Sequence, residues 1–376
     1  MENVNVAEGT EPSVDAAQSR ELRLDRLLEH AAEFGLDATL ITSDESIAYL
    51  TGFKPTQLER FFGVVVSPDR SAVIVPALDA GQIGGAPQRL DRVSYGAESD
   101  GIPELTSALA GARRVGVEED HLIYARSSAL ERHGFELAPA GAVVMGLRVR
   151  KDAGEIQRIR TACELVQEGL RRAFEWLSTG VVEHALNARV EGFLREQGAA
   201  EVHPLILFGE NAANPHGNPG PRELARGDVV CADLSACLDG YWGDVTRCAT
   251  VGPPSEWATR TWQVVLDAQQ AANAAAQPGA SGREVDAAQR RIVEAASELG
   301  ASLHGAGHAI GLSIHEPPFL VPRWNDLLEE GMVLTIEPGL YQAGVGGIRL
   351  EDDVVVRPGG PEILSSLPLE LVEVGE

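Results

Sequence analysis

The stretch Asp233-Leu-Ser-Ala-Cys-Leu-Asp-Gly-Tyr-Trp-Gly-Asp244 decides the fold. Asp239-Gly240 lies between its two terminal aspartates, and an Asp-Gly pair flanked by apolar residues is the strongest short-range hairpin signal. Two antiparallel strands follow, expected over Val229 to Leu234 and Tyr241 to Val251. Folding one back on the other brings Asp233 and Asp244 close on one face, where both carboxylates can bind the same cation. Asp239 is then a turn residue and needs no catalytic role.

Three further motifs lie downstream. His304-Gly-Ala-Gly-His308-Ala-Ile-Gly-Leu-Ser-Ile-His315-Glu places three of the nine histidines close together, with glycines that let the backbone approach a site. His304 reads equally well as structural. Thr335-Ile-Glu337-Pro-Gly-Leu-Tyr341 puts a carboxylate at an expected strand end. In Arg349-Leu-Glu351-Asp352, strand alternation points Arg349 and Glu351 the same way and turns Asp352 outward as a surface acid. Ahead of the hairpin, Asn211-Ala-Ala-Asn-Pro-His216-Gly-Asn is a turn-rich loop whose histidine is placed to reach over a site.

Asp233, Asp244, His308, Glu337 and Glu351 make a hard, oxygen-rich ligand set. Such a set suits two divalent cations, because carboxylates bridge metals and offset their charge. A cation pair with a water between them makes hydroxide at neutral pH and clamps a carbonyl, so the chemistry expected is hydrolysis. Mn²⁺ fits best, and Co²⁺ or Zn²⁺ would also be accepted.

The flanks supply the architecture, a mixed α/β (α+β) chain of two domains. Residues 1–18 are polar and acidic, without a basic or apolar leader, and read as a disordered tail. Residues 19–147 read as a small α/β domain. Its first helix is expected from an N-cap at Ser19 through Phe34, with Leu24, Leu27, Leu28, Ala31 and Phe34 at helical spacing. Strands are expected at Ala38 to Thr42, Phe61 to Ser67, Ala72 to Val75 and Val115 to Glu118, with a helix at Tyr124 to His133. No nucleotide-binding fingerprint is present.

Residues 148–376 carry every candidate ligand. Ile156, Ile159, Ala162, Val166, Leu170 and Phe174 line one face of a long helix. Further helices are expected at Val182 to Gln197, Glu256 to Ala276 and Gly282 to Leu299. Strands are expected at Val202 to Phe208, Met332 to Ile336 and Gly347 to Val356.

Composition narrows the partners. Acidic side chains outnumber basic ones 56 to 31, a formal charge of −25 that argues against nucleic acid and anionic membranes. No apolar run is long enough to span a bilayer. The expected location is the cytoplasm, with Cys163, Cys231, Cys237 and Cys248 as reduced, buried thiols.

On these motifs the C-terminal half, about Leu147 to Arg357, resembles the pita-bread metallopeptidases: methionine aminopeptidase, prolidase and aminopeptidase P. Pro-His216-Gly, Gly-Tyr241-x-x-Asp244-x-Thr-Arg, Gly-His308, His315-Glu, Thr-Ile-Glu337-Pro-Gly and Arg349-x-Glu351 all fit. In the N-terminal half, Tyr49-Leu-Thr-Gly-Phe53 is similar to a segment of the extra domain in the prolidase branch. Asp233-Leu-Ser235 and His308-Ala-Ile-Gly depart from the usual Asp-x-Gly and His-Gly-Ile-Gly, without removing a ligand.

The resemblance implies a C-terminal pita-bread fold, an antiparallel sheet flanked by helices. It implies that Asp233 and Asp244 hold one metal, that Asp244 and Glu351 bridge, and that His308 and Glu337 complete the other. It makes a metal-bridged hydroxide the nucleophile and Glu337 the group that takes its proton. His216 and His315 would bind substrate and steady the oxyanion, with Arg349 and Tyr341 supporting the ligands or the substrate and Thr246 orienting a carboxylate. A homodimer, in which the small domain helps roof the partner's site, is the usual assembly.

A small peptide with the Xaa-Pro bond is the expected substrate, and an Xaa-Pro dipeptidase is favoured over an Xaa-Pro aminopeptidase. A dipeptidase needs a cation for the substrate's free carboxylate, for which Arg323 is the candidate; the alternative is a surface arginine beside Trp324. Ile314 and Phe319 are candidates for apolar walls around the proline ring. A non-peptidase hydrolase or lyase on the same fold remains an alternative. Creatinase-type enzymes and non-catalytic relatives fit less well, since those lack part of the ligand set.

Overall fold

The computed structural model describes residues 14–56 and 59–375. The chain divides into two compact units, Met1–Arg148 and Val149–Glu376.

In the first unit, α1 (Val14–Glu33) begins before the expected cap, so Ser19 lies inside it; residues 1–13 of the expected tail lie outside the described residues. Leu24, Leu27 and Ala31 bury its inner stripe. Phe34 is exposed, because the helix ends before it and Gly35 (φ 63°) turns the chain away.

The elements that follow are β1 (Ala38–Ile41), α2 (Asp44–Thr51), β2 (Gly63–Val66), β3 (Ser71–Pro76), β4 (Leu90–Tyr95), α3 (Ile102–Ala108), β5 (Arg114–Val117), α4 (Tyr124–Arg132), β6 (Glu136–Pro139) and α5 (Gly141–Arg148). They build a mixed six-stranded sheet in the order β4-β3-β2-β1-β5-β6. The expected β2–β3 hairpin is present, with Val66 opposite Ser71. The sequence reading did not anticipate α2, β4, α3, β6 and α5, which are too short for apolar periodicity to show.

The second unit opens with α6 (Ala153–Glu175), capped by Asp152 and Glu155 in a reciprocal capping box, and α7 (Glu183–Glu196). Next come β7 (Glu201–Phe208), β8 (Val229–Leu238), β9 (Tyr241–Val251), α8 (Glu256–Ala275) and α9 (Gly282–Ala295). The chain then forms β10 (Gly307–Ala309), β11 (Glu316–Leu320), β12 (Val333–Ile336), β13 (Gly339–Gln342), β14 (Gly346–Arg349), β15 (Asp352–Val355), β16 (Glu362–Ile363) and β17 (Val372–Val374). They form a four-stranded sheet β17-β9-β8-β7, an antiparallel five-stranded sheet β11-β10-β12-β15-β16 and the β13–β14 hairpin.

Asp239 (φ 50°) and Gly240 (φ 80°) both take the left-handed conformation, as a two-residue type I′ turn demands, and Leu238 pairs with Tyr241 across it. That turn sets the register of β8 on β9. Register with burial then decides which side chains face the site. Ala232, Leu234, Ala236, Val245 and Ala249 pack against Val166 and Leu170 of α6 and Leu186 and Val190 of α7. Strand alternation therefore sends Asp233, Ser235, Asp244 and Thr246 to the opposite face. Truncating one of these buried leucines, Leu234→Ala for instance, would cost about 2–5 kcal/mol.

The strand expected over Gly347 to Val356 is two strands, with Leu350 and Glu351 at the break between β14 and β15. Asp352 is not a surface acid. It is buried, paired with Arg247 Nη2 (2.7 Å) and accepting from Gln269 Nε2 (2.7 Å). Arg247 also donates to the backbone oxygens of Thr246, Glu351, Leu367 and Pro368, so all its hydrogen-bonding nitrogens are used. This clasp holds the chain on either side of the break.

Candidate active site

Asp233 faces Thr246 across the β8–β9 ladder and Asp244 faces Ser235, so the two aspartates are diagonal neighbours on one face. β10 brings in His308. Its neighbour Gly307 (φ 148°) runs so close to β12 that a Cβ there would strike the Thr335 carbonyl, so only glycine allows that approach. Thr335 Oγ1 accepts the His308 N–H (3.2 Å). Glu351 enters from the β14–β15 break.

One ligand atom from each of Asp244, His308 and Glu351 lies within 4.8 Å of the other two, and all three residues are buried. Glu337, just past β12, sits with Oε1 3.7 Å from His308 Nε2. Asp233 is held by Arg349 Nη2. Of the five expected ligands, Asp244, His308 and Glu351 converge tightly, Glu337 lies beside His308, and Asp233 is near enough to raise Asp244 and Glu351.

Burial, then repulsion from Glu351, Asp233, Asp353 and Glu337, pushes the Asp244 carboxyl well above its ordinary value. Glu351 is raised by burial and by Asp233 and Glu337, and burial carries Glu337 to about 7. Asp244 Oδ1 is buried and has no hydrogen-bond partner among the described residues. A buried carboxylate group with an orphaned oxygen and one histidine calls for added positive charge, and hard divalent cations fit that donor set. His308 is pushed down to about 3, by burial first and His315 second, so its ring is neutral. Its Nδ1 lies 3.1 Å from the Ala309 carbonyl, which assigns the proton there and leaves the Nε2 lone pair facing the cluster.

Behind the ligands runs a chain of hydrogen bonds. Thr246 Oγ1 donates to Glu351 Oε2 (2.6 Å) and accepts from Arg349 Nε (3.3 Å). Arg349 Nη1 donates to the Tyr341 hydroxyl (2.7 Å), which donates in turn to His304 Nε2 (2.7 Å). Arg349 and Glu351 both reach Thr246, across the strand break and not along the expected continuous strand. His304 belongs to this network and lies 3.9 Å from Glu337.

His315 is exposed at the end of the loop before β11, its ring 4.1 Å from that of His308. His216 is also exposed, and its proximity is among the causes that lower His304 and His315. Arg323 is exposed on the loop after β11, with no ion-pair partner among the described residues. Phe319 and Ile314 are half-buried, and Phe319 packs edge-on against Trp324. The four cysteines are free and buried, as expected.

Two contributors escaped the sequence reading. Asp353 is fully buried and accepts the Asp244 N–H (3.0 Å) and the Cys163 thiol (2.8 Å). Three consecutive acids entering an apolar strand were its signal, since such a strand buries at least one of them. Lys151 pairs in the interior with Glu316 (3.2 Å), beside His315, and nothing local announces it.

The chain is similar to known proteins over nearly its whole length. Residues 157–358 match the model of metallopeptidase family M24, and residues 23–150 match the creatinase/prolidase N-terminal domain. The chain is 33% identical over 363 residues to a putative dipeptidase, YkvY, of Bacillus subtilis, covering 93% of this chain and 99% of that one. Its structure resembles an Xaa-Pro dipeptidase from Bacillus anthracis, with a TM-score of 0.88, 30% identity, and 94% and 100% of the two chains covered. It also resembles an X-Pro aminopeptidase from Thermotoga maritima, with a TM-score of 0.82, 28% identity, and 94% and 100% covered. The mixed α/β architecture with a pita-bread C-terminal unit is the one these relatives share. Among the described residues no helix is long and apolar enough to cross a membrane.

Proposed function

The chain belongs to metallopeptidase family M24, a family of metal-dependent peptidases, and on that premise we propose that it is an Xaa-Pro dipeptidase working with two divalent cations, Mn²⁺ in the first place. The observation that carries the reading is the buried convergence of Asp244, His308 and Glu351, with Glu337 alongside, in a chain whose structure resembles an Xaa-Pro dipeptidase over 94% of its length.

Asp233, Asp244, His308, Glu337 and Glu351 hold the cations, with Co²⁺ or Zn²⁺ as acceptable substitutes. Bound cations supply Lewis acidity toward the scissile carbonyl and make water a nucleophile near neutral pH. Glu337 takes the proton of the attacking water. His315 and His216, at the exposed rim, bind the substrate and stabilise the oxyanion as it forms, a role worth about 2.7–4 kcal/mol for one donor. Arg349 keeps Asp233 in place and, with Tyr341, ties it to His304.

Proline removes the amide N–H and fixes φ of the second residue, so recognition falls to ring shape and to the chain terminus. Ile314 and Phe319 supply apolar surface for the ring. Arg323 receives the free carboxylate of the dipeptide, for which an arginine fork is well shaped.

An Xaa-Pro aminopeptidase is the second reading, favoured by the full-length likeness to the Thermotoga maritima enzyme. Hydrolysis of an Xaa-Pro dipeptide and an Xaa-Pro-Yaa tripeptide, each with Mn²⁺ and after chelation, decides between them. Metal-dependent cleavage confined to the dipeptide is expected. Cleavage of the tripeptide alone would make it an aminopeptidase. Cleavage of neither, with cations bound, would overturn both readings.

A further inference from the structure

His216 stands at a place that needs explaining. It is the third residue of a turn, Asn214-Pro-His216-Gly217, closed by the Gly217 N–H on the Asn214 carbonyl (2.9 Å). His216 is not among the positive-φ residues, so the turn is type I, with asparagine, proline and glycine at their favoured positions. The turn lies in a loop that runs from the end of β7 to Gly220, and beyond one short 3₁₀ turn that loop has no regular structure. An exposed side chain on such a loop is poorly placed unless the loop's ends are held.

One buried carboxylate holds both ends. Glu183, the first residue of α7, is fully buried. Its Oε2 accepts the Phe208 N–H (2.6 Å) at the start of the loop. Its Oε1 accepts the Gly220 N–H (2.7 Å) at the far end and the Asn211 side-chain amide (3.0 Å) within. Among the described residues no lysine or arginine pairs with it. A carboxylate without a counter-ion in the interior is costly unless hydrogen-bonded, so these three bonds are its compensation.

The backbone adds to the clamp. The Glu183 N–H donates to Arg222 O (2.9 Å) and the His184 N–H to Gly220 O (3.0 Å), laying the far arm of the loop along the first turn of α7. One turn on, Asn187 bonds both the N–H and the C=O of Ile206 (2.9 and 2.8 Å), fixing β7 just before the loop leaves it. The same helix face therefore measures out where the loop starts and where it returns.

We infer that Glu183 is the positioning residue for His216, clamping both ends of the loop that presents the histidine to substrate. The inference rests on the proposed substrate-binding role of His216. Misplacing a substrate-contacting group by about 1 Å costs on the order of 10²-fold in rate, and a carboxamide at position 183 presents an N–H where the loop presents N–H groups.

The test is a double-mutant cycle of Glu183→Gln with His216→Ala in the cation-loaded full-length protein, followed on an Xaa-Pro dipeptide. Hydrogen exchange of amides 208–220 is measured alongside. Glu183→Gln alone is expected to lower kcat/KM about 10²-fold, chiefly through kcat, and to speed exchange within 208–220. In the His216→Ala background the same change is expected to cost little more. An equal loss in both backgrounds, or unchanged exchange in the loop, would overturn the inference. Should Glu183→Gln not fold, Asn211→Ala removes one of the three donors more gently and must show the same non-additivity with His216→Ala. A wild-type protein inactive on Xaa-Pro peptides would sink the functional reading instead, and the exchange measurement would still decide whether Glu183 clamps the loop.

Discussion

Asp244, His308 and Glu351 stand on or between β-strands and are buried, whereas His216 and His315 stand on loops and are exposed. The first group gathers like charges that repel one another, so their positions must be imposed by the backbone. A paired ladder does this, because register and alternation leave each side chain one direction. The second group has to meet a substrate, so it is exposed and its loops are held from beneath by buried carboxylates. Glu183 does so for His216. Glu316, paired with Lys151 and accepting the Ser313 N–H (3.0 Å), does so for His315. On the proposed function, cation binding and substrate handling fall to separate structural regions, and substitutions should separate them.

The largest effect is expected at the sheet. Asp244→Asn should lower kcat/KM by about 10³-fold or more, the several kcal/mol that cation assistance supplies. Elemental analysis of the purified variant should show the cations gone with the activity. Next comes the loop end: His315→Ala should reduce kcat about 10²- to 10³-fold. Here the cation content should stay at the wild-type level, and a variant that loses its metal would erase the distinction between the two regions.

A smaller effect sharpens the sheet side. Thr246→Val deletes the hydroxyl that donates to Glu351 and accepts from Arg349. Cation affinity, read by calorimetric titration, should fall about 10- to 100-fold, as for other groups that orient a ligand.

The smallest is a pH effect on the metal-free protein. Glu337 at about 7, and Asp244 and Glu351 also raised, hold protons in the folded state that the unfolded chain has already released. Stability therefore falls as pH rises from the ordinary carboxyl range through their folded values. His304 at about 4 and His308 at about 3 act oppositely, adding stability up to about pH 6.5, where the unfolded histidines become neutral. Above that pH only the carboxylates remain. Scanning calorimetry from pH 6.5 to 8 in chelator should show Tm falling by about a few degrees, with excess Mn²⁺ removing the slope. A Tm that rises over this range would contradict the repulsion assigned to the cluster.

The two regions also differ in how far they could be read in advance. Asp233 and Asp244 were legible because Asp239-Gly240 announces its turn and apolar residues flank it at strand spacing. His216 was recognisable as a turn residue from Asn-Pro-His-Gly, but not as the tip of a loop whose two ends Glu183 holds. Asp352 misled, since alternation tells which way a side chain points and not whether Arg247, far away in sequence, waits there. The expected strand over Gly347 to Val356 failed for a related reason. Its two halves join different partners, β13 and β12, and partner choice is not a local property.

By itself the sequence determined the turn types, the helical stripes and the chemical nature of the ligand set, because those depend on residues within a few positions of one another. Only the tertiary structure decided that Glu351 sits in a strand break, that Asp353 braces Asp244, and that Glu183 and the Lys151–Glu316 pair carry the histidine loops. Each of those depends on burial and on partners distant in sequence, and a buried charge is tolerated only where folding delivers its hydrogen bonds.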